Sequence, residues 1–152
     1  MSDKPQKLRV LQDSREQRGW GPDLDSEQFG VEVATLSTGD YTIDGLHDRL
    51  AIERKSLGDF VSTVTREWLR FRKELYRLAG FDVAAVVVEA NVEDVMEHRY
   101  ESDAHPSSVM GRAHGIFLDH GVPVFFWGPR PVCVAQVERF LLLADKKLRG
   151  AS

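Results

Sequence analysis

The chain contains 152 residues, of which 42% are hydrophobic and 29% charged, and it carries a formal net charge of −4. This length fits one ordinary domain with a sizeable core, and because no apolar run reaches about 18 residues we expect no membrane span. Residues 1–7 are polar and lack the apolar stretch of a signal peptide, and the single cysteine, Cys133, excludes an intramolecular disulfide, so a reducing cytoplasmic setting is favoured.

The first third of the chain is predicted to form short strands separated by turns. In chain order we expect a flexible tail over 1–7, a strand over 8–12, a short helix within 20–29, a strand over 31–36, and paired strands over 41–43 and 50–52. The first three strands are predicted to form a meander. That arrangement would carry Asp40 and Glu53 to the same end of the sheet.

The clearest predicted helix covers residues 57–79. Apolar side chains recur there at helical spacing and define a core face, made of Leu57, Phe60, Val64, Trp68, Phe71, Leu75 and Leu78. Charged side chains fall on the opposite face of the same helix, namely Asp59, Arg66, Arg70, Lys73 and Arg77.

The second half of the chain alternates between strands and helices. We predict a strand buried on both faces over 83–88, helices over 92–98 and 107–120, another buried strand over 122–127, and a terminal helix over 131–148. The terminal helix carries an apolar stripe that belongs either to the core or to a self-association face, made of Val134, Val137, Leu141, Ala144 and Leu148. This order of elements predicts a mixed α/β domain with a central sheet.

Three carboxylates and a lysine lie within a short stretch of the chain, at Asp40, Glu53, Lys55 and Asp59. Because strand side chains alternate, Glu53 and Lys55 should point to the same side of the sheet and Arg54 to the other. A carboxylate and an ammonium aimed at one spot suit a divalent metal beside a scissile phosphate.

These residues stand in a recognisable order. Gly39-Asp40-Tyr41, Glu53-Arg54-Lys55-Ser56 and Asp59 resemble the GD(Y/F)…(V/I)ERKxxxD signature of the XPF-family nuclease domain, a branch of the PD-(D/E)xK superfamily. Asp13-Ser14-Arg15-Glu16 resembles the upstream DxRE element of that family, and Arg66 its helix arginine. The resemblance implies a restriction-endonuclease-like α/β fold, with a central mixed β-sheet flanked by helices, over residues 8–149. We expect no helix-hairpin-helix module within this chain.

The resemblance also implies roles for the acidic residues. Asp40 is expected to be the central ligand of Mg²⁺ or Mn²⁺, with Glu53 second and the Arg54 carbonyl a possible third. Lys55 would position the attacking water and offset phosphate charge. Asp13, Glu16 and Asp59 would complete the acidic cluster, in the outer shell or at a second metal, and one or two metals both remain open.

Each of these residues also has a purely structural interpretation. Asp40 could be a turn residue, Glu53 and Lys55 an ion pair on a solvated strand, and Asp59 a partner of a helix N-terminus. Arg54 either holds Asp59 or Asp13 by a bidentate ion pair or contacts DNA; because it should face away from Glu53 and Lys55, a supporting role is favoured.

A basic segment follows the motif, with seven basic and three acidic residues between Arg54 and Arg77. Its helical stripe of Arg66, Arg70, Lys73 and Arg77 is the best candidate for contact with the DNA backbone, to which we add Arg15. The alternative is a solvated helix face. Contacts of this kind would read the shape of DNA rather than its base sequence.

We therefore expect a metal-dependent DNA endonuclease of repair or recombination that cuts near branched, flap or forked junctions. The alternatives are a non-catalytic DNA-binding scaffold of an XPF-type complex and a Holliday-junction resolvase or exonuclease of the same superfamily. A homodimer or a partner protein would supply extra DNA affinity. The expected location is the cytoplasm, with the nucleoid, or the nucleus in a eukaryote.

Overall fold

The computed structural model describes residues 6–150, which form one six-stranded mixed sheet flanked by helices. The strands are β1 (Leu8–Asp13), β2 (Phe29–Ala34), β3 (Tyr41–Ile43), β4 (Leu50–Lys55), β5 (Val83–Val88) and β6 (Val124–Phe126). The helices are α1 (Leu57–Val64), α2 (Trp68–Leu78), α3 (Val92–Met96), α4 (Pro106–His120) and α5 (Arg130–Leu148). The predicted α/β class with a central mixed sheet is confirmed. The tail predicted over 1–7 lies largely outside the described residues.

The strand order is β2-β1-β3-β4-β5-β6, and it corrects the predicted meander. Strand β1 lies between β2 and β3, parallel to β2 and antiparallel to β3. The prediction was wrong because residues 14–28 return the chain to the start of β1 before β2 begins. Within that connection the predicted short helix is a single 3-10 turn over Gly21–Asp23.

The long helix predicted over 57–79 is interrupted at Thr65, so that it forms two helices, α1 and α2. This residue has φ −115° and ψ −91°, and its hydroxyl donates a 2.6 Å hydrogen bond to the carbonyl of Val61. Such side-chain bonds compete with the helical backbone ladder. Arg66 therefore lies in the break between α1 and α2, so the prediction that it shares one helix face with Arg70 is wrong.

The sheet has a core on each face, and the alternation of β4 assigns its side chains to them. Leu50 and Ile52 pack in the core covered by α5, whereas Ala51 packs in the core covered by α1, α2 and α4. Continuing this alternation, Glu53 and Lys55 point to the α1–α2 side and Arg54 to the α5 side. Neighbouring side chains of β4 thus lie in two different environments, one on each face of the sheet.

Helix α5 is anchored by its apolar stripe, all five members of which are buried. The stripe belongs to the core with β1, β3 and β4, so a self-association role for it is wrong. Cys133 is also buried in this core. At the other end of the sheet, β6 is a half-buried edge strand rather than the fully buried strand predicted over 122–127. None of the helices between residues 6 and 150 has the length and apolarity needed to cross a bilayer.

Candidate active site

Asp40 lies in the turn that precedes β3, where backbone hydrogen bonds link it to β1 and β4. Its backbone N–H donates to the carbonyl of Ile52 at 2.8 Å, and its carbonyl accepts from the N–H of Asp13 at 2.8 Å. Its Oδ2 accepts a hydrogen bond from the backbone N–H of Arg54 at 2.8 Å. Gly39 enters this turn at φ +77°, where a Cβ would lie 3.1 Å from that of Ala51. A glycine is therefore required for Asp40 to reach this position.

Glu53 and Lys55 line one cavity of about 350 Å³ with the polar face of α2. Lys55 Nζ lies 3.4 Å from Glu53 Oε2, and both side chains are largely shielded from solvent. The same ammonium lies 5.4 Å from the centroid of the Phe71 ring. The predicted alignment of Glu53 with Lys55 is confirmed.

Burial disfavours the ionised forms of the Asp40 and Glu53 carboxyl groups, and at Glu53 the Lys55 ammonium offsets this only in part. Burial, reinforced by the charge of Glu53, raises the pKa of Asp40 to about 8. Burial also raises the pKa of Glu53, against the opposing effect of Lys55. A bound cation would favour the ionised form of both groups.

The donor set at this position suits a magnesium-type ion. Within residues 6–150, no three carboxylate, imidazole or thiolate side chains converge closely enough to enclose a metal by themselves. Mg²⁺ seldom requires such a cage, because it usually keeps several waters and binds one or two carboxylates together with substrate phosphates. The buried carboxyl groups of Asp40 and Glu53, both with a raised pKa, are of the kind and number that such an ion would need.

Arg54 supports the site from the other side of the sheet. Its guanidinium contacts Glu16 at 2.9 and 3.1 Å and Glu89 at 3.2 Å. Its predicted partners, Asp59 and Asp13, are therefore wrong. Glu89 also accepts hydrogen bonds from the Trp20 indole at 2.7 Å and from Arg130 at 3.3 Å. This network fixes β4, β5 and α5 to one another beside Asp40.

Asp13 is buried at the end of β1, and both of its oxygens already accept hydrogen bonds. Oδ1 accepts from the Leu36 N–H at 2.9 Å, and Oδ2 from Arg15 Nε at 2.9 Å. Burial alone would raise the pKa of Asp13, but these bonds outweigh it and hold the pKa below the ordinary value. The metal role of Asp13 stays a prediction that would require it to release these donors. The metal role of Glu16, which is paired with Arg54, also stays a prediction.

Asp59 is placed apart from Glu53 and Lys55. It is exposed near the start of α1, where its backbone N–H is capped by the Ser56 hydroxyl. It lines a different cavity, of about 600 Å³, together with Arg66 and Arg99. The structure thus does not bring Asp59 into the cavity of Glu53 and Lys55, and its catalytic and metal roles stay predictions.

The predicted DNA-binding residues divide into those at the cavity and those away from it. Arg70 and Arg77 line the cavity with Lys55, each paired with a glutamate three positions earlier on α2. Arg15 is mostly exposed, and hydrogen bonding to Asp13, with the charge of Asp40 among lesser contributions, raises its pKa. Arg15 therefore lies on the side of the site that holds Asp40. Lys73 is exposed on α2, and Arg66 donates to the Ser62 hydroxyl.

The sequence analysis assigned no role to two acidic residues of this cavity, Glu67 and Glu74. In the sequence they are two of the three acidic residues of the basic segment between Arg54 and Arg77. Their spacing contained the signal, because positions 67, 70, 74 and 77 repeat at i, i+3, i+7 and i+10 and so share one helix face. The spacing does not show which way that face points, because its direction depends on how α2 packs against β4.

A larger cavity, of about 750 Å³, lies elsewhere on the surface. It is formed at the opposite end of β1 by residues that include Arg9, Asp44 and Arg149. None of the predicted site residues lines it. Size alone therefore does not identify the site in this protein.

Comparisons with known proteins show the family and the fold of this chain. The ERCC4 domain family model matches residues 12–131. A protein of Methanocaldococcus jannaschii named as an ATP-dependent RNA helicase is 30% identical over 96 residues, which are 63% of this chain and 11% of that protein.

Two structures of XPF from Aeropyrum pernix share the fold. One has a TM-score of 0.72 and 25% identity, covering 90% of this chain and 61% of the other. The second, a complex with DNA, has a TM-score of 0.73 and 24% identity, covering 93% and 66%. This chain thus spans about two thirds or less of each protein that it matches. Because the family match includes most of the chain, with Asp13, Asp40, Glu53 and Lys55 inside it, the chain belongs to the ERCC4 domain family and is an XPF-type nuclease domain.

Proposed function

We propose that this chain is a divalent-metal-dependent DNA endonuclease that hydrolyses phosphodiester bonds near branched, flap or forked junctions. The observation that carries the proposal is one cavity in which Glu53 and Lys55 face the arginines of α2, with Asp40 hydrogen-bonded to the adjacent backbone of β4. Membership of the ERCC4 domain family supports it. The Aeropyrum XPF complex contains DNA, and we extend that ligand to this chain as part of the proposal.

Asp40, Glu53 and the carbonyl of Arg54 are the groups that would hold Mg²⁺ or Mn²⁺. The bound ion would neutralise charge on the phosphate and on the leaving oxygen. The Lys55 ammonium, 3.4 Å from Glu53, would hold the attacking water by hydrogen bonding and stabilise the added negative charge. Water attacks the phosphorus, the bond from phosphorus to the 3′ oxygen breaks, and the products are a 5′-phosphate and a 3′-hydroxyl.

Arg70 would exchange its glutamate partner for a DNA phosphate at the rim of the cavity, whereas Arg77 would contact phosphate while its guanidinium stays paired with Glu74. Arg70 is suited to this exchange because its contact with Glu67 is long, at 3.5 Å, and exposed, and such pairs contribute little. Arg15 would contact phosphate on the Asp40 side, with Lys73 and Arg66 further out. A surface of this kind positions the backbone without reading bases, which fits a reader of junction shape in repair or recombination. A second copy or a partner protein would add affinity.

The proposal is tested by incubating end-labelled forked, 3′-flap, four-way and plain duplex DNA with the protein in Mg²⁺, Mn²⁺ or EDTA. We expect cuts at the junction in either metal and none in EDTA. Cuts from the DNA ends inward would indicate an exonuclease, and symmetric cuts in a four-way junction a resolvase. DNA binding without cuts on any substrate would contradict the proposed activity and favour a scaffold.

A further inference from the structure

The Glu74 carboxylate joins two parts of the site that belong to different elements. Its Oε1 accepts a hydrogen bond from the backbone N–H of Gly39 at 3.4 Å. Its Oε2 accepts from the Arg77 guanidinium at 2.6 and 3.2 Å. The side chain is 21% exposed and lines the cavity of Glu53 and Lys55. Glu74 thus contacts the Asp40 turn on one side and a cavity arginine on the other.

The Gly39 contact bears directly on Asp40, the next residue in the chain. The turn is fixed to β4 by the Asp40 N–H and by Arg54, and to β1 by the Asp40 carbonyl. Glu74 adds a contact from α2, so the helix that carries Arg77 is tied to the residue that carries the central carboxylate. A small displacement of either group would lower the rate of catalysis strongly, because the reaction depends on the alignment of its groups.

We propose that Glu74 is a positioning residue, which braces the Asp40 turn against Arg77 and sets their separation across the cavity. The inference rests on the proposed function for its catalytic consequence. Its structural consequence, an ordered Gly39–Asp40 turn, does not depend on whether the protein cuts DNA. The ligand toward which both groups would be held is a phosphate of the DNA backbone.

Helix α2 provides a matched control two turns earlier. Glu67 pairs with Arg70 at the same i, i+3 spacing and lines the same cavity, but the pair is longer, at 3.5 Å, and Glu67 is 47% exposed. Its backbone N–H donates to the Ser62 carbonyl of α1, its carbonyl accepts from the Phe71 N–H of α2, and its side chain contacts Arg70 rather than the turn. Glu67→Ala therefore removes a carboxylate and an ion pair from the same wall without removing the brace.

The catalytic test compares Glu74→Ala, Glu74→Gln and Glu67→Ala on one forked substrate at saturating metal. Loss of an outer partner of this kind typically costs about 10- to 100-fold, so we expect Glu74→Ala to lower kcat by roughly tenfold or more with the DNA KM nearly unchanged. Glu74→Gln, which keeps an acceptor for Gly39, should lose less. The isosteric variant also keeps the comparison usable if Glu74→Ala folds poorly. Equal kcat values for Glu74→Ala and Glu67→Ala would overturn the catalytic role.

The structural test measures amide hydrogen exchange of Gly39 by NMR in the metal-free protein, where no cleavage is involved. We expect faster exchange at Gly39 in Glu74→Ala, by roughly tenfold for one lost hydrogen bond, and wild-type exchange in Glu67→Ala. Unchanged Gly39 exchange in Glu74→Ala would overturn the brace. If wild type cuts no DNA while Gly39 exchange responds, the proposed function fails and the brace stands. If wild type cuts normally and neither readout responds, the function stands and the brace fails.

Discussion

At the scale of single residues, the site depends on carboxylates in two contrasting environments. Asp40 accepts a hydrogen bond from a backbone amide, forms no ion pair with an arginine among residues 6–150, and has its pKa raised by burial to about 8. Glu16 and Glu89, close by, are both paired with Arg54. Arg54 thus neutralises the two neighbouring carboxylates, an arrangement consistent with the metal-ligand role that we propose for Asp40. Carboxyl groups with a raised pKa, such as Asp40, are typical of functional positions.

Arg54 should contribute substantially to the stability of the fold. Its side chain is 14% exposed, and its partners Glu16 and Glu89 are 6% and 13% exposed. Removing one member of a buried network leaves the others unpaired, which costs about 3–5 kcal/mol. We expect Arg54→Ala to lower the free energy of unfolding in urea by about 3 kcal/mol. Arg139→Ala, at an exposed position on α5, is the control, and a loss below about 1 kcal/mol in Arg54→Ala would show that the network is not structural.

At the scale of elements, the sequence predicted which segments are helical or extended better than how they are joined. The run of valines in β5 and the stripe on α5 were sufficient to predict both elements, because each is buried along its length. The break at Thr65 was not predictable from periodicity, because Val64 and Trp68 keep helical spacing across it. The parallel pairing of β1 with β2 also escaped prediction, because the path of residues 14–28 depends on tertiary contacts.

Helix α3 allows a pH prediction at this scale. Asp94 accepts from the Asn91 N–H at 2.8 Å and from Arg99 at 2.7 Å, and the backbone bond is the main cause of its lowered pKa. Because the folded pKa lies below the unfolded value of 3.8, the stabilisation is present above that value and is lost as the pH falls through the folded pKa. Loss of such a cap costs about 1 kcal/mol.

We therefore expect Asp94→Ala to be less stable than wild type by about 1 kcal/mol at pH 7, with the difference shrinking as the pH falls below 3.8. Urea titrations of both proteins at a series of pH values measure this difference. A difference that stays constant down to the lowest pH at which the fold survives would mean that the Asp94 charge contributes nothing.

At the scale of the whole molecule, the two faces of the sheet carry different groups. The α5 face carries the buried network around Glu89, whereas the α1–α2 face presents the cavity with Lys55. The alternation of Glu53, Arg54 and Lys55 along β4 is what allowed this division to be predicted. Glu74 could not be predicted in the same way, because its role depends on where α2 lies relative to the Gly39 turn.

DNA binding by the whole protein should depend on salt in proportion to the number of phosphates contacted. The logarithm of the binding constant falls with the logarithm of salt concentration with a slope of about −0.9 per neutralised phosphate. We expect Arg70→Ala and Arg77→Ala each to reduce the magnitude of this slope by about 0.9 on forked DNA. Arg139→Ala should leave the slope unchanged. Slopes equal to wild type in both cavity variants would place the DNA on another surface.

We propose that Asp40 and Lys55 perform chemistry rather than stabilise the fold. The most direct measurement is junction cleavage in Mg²⁺ by Asp40→Asn and Lys55→Ala, alongside wild type and the exposed variant Lys146→Ala, with fork affinity and thermal melting measured on the same samples. We predict cleavage reduced by at least about 10²-fold in the first two variants, with fork affinity in EDTA within about threefold of wild type, folding intact, and Lys146→Ala unaffected. Cleavage that persists in a folded Asp40→Asn or Lys55→Ala protein would contradict the account.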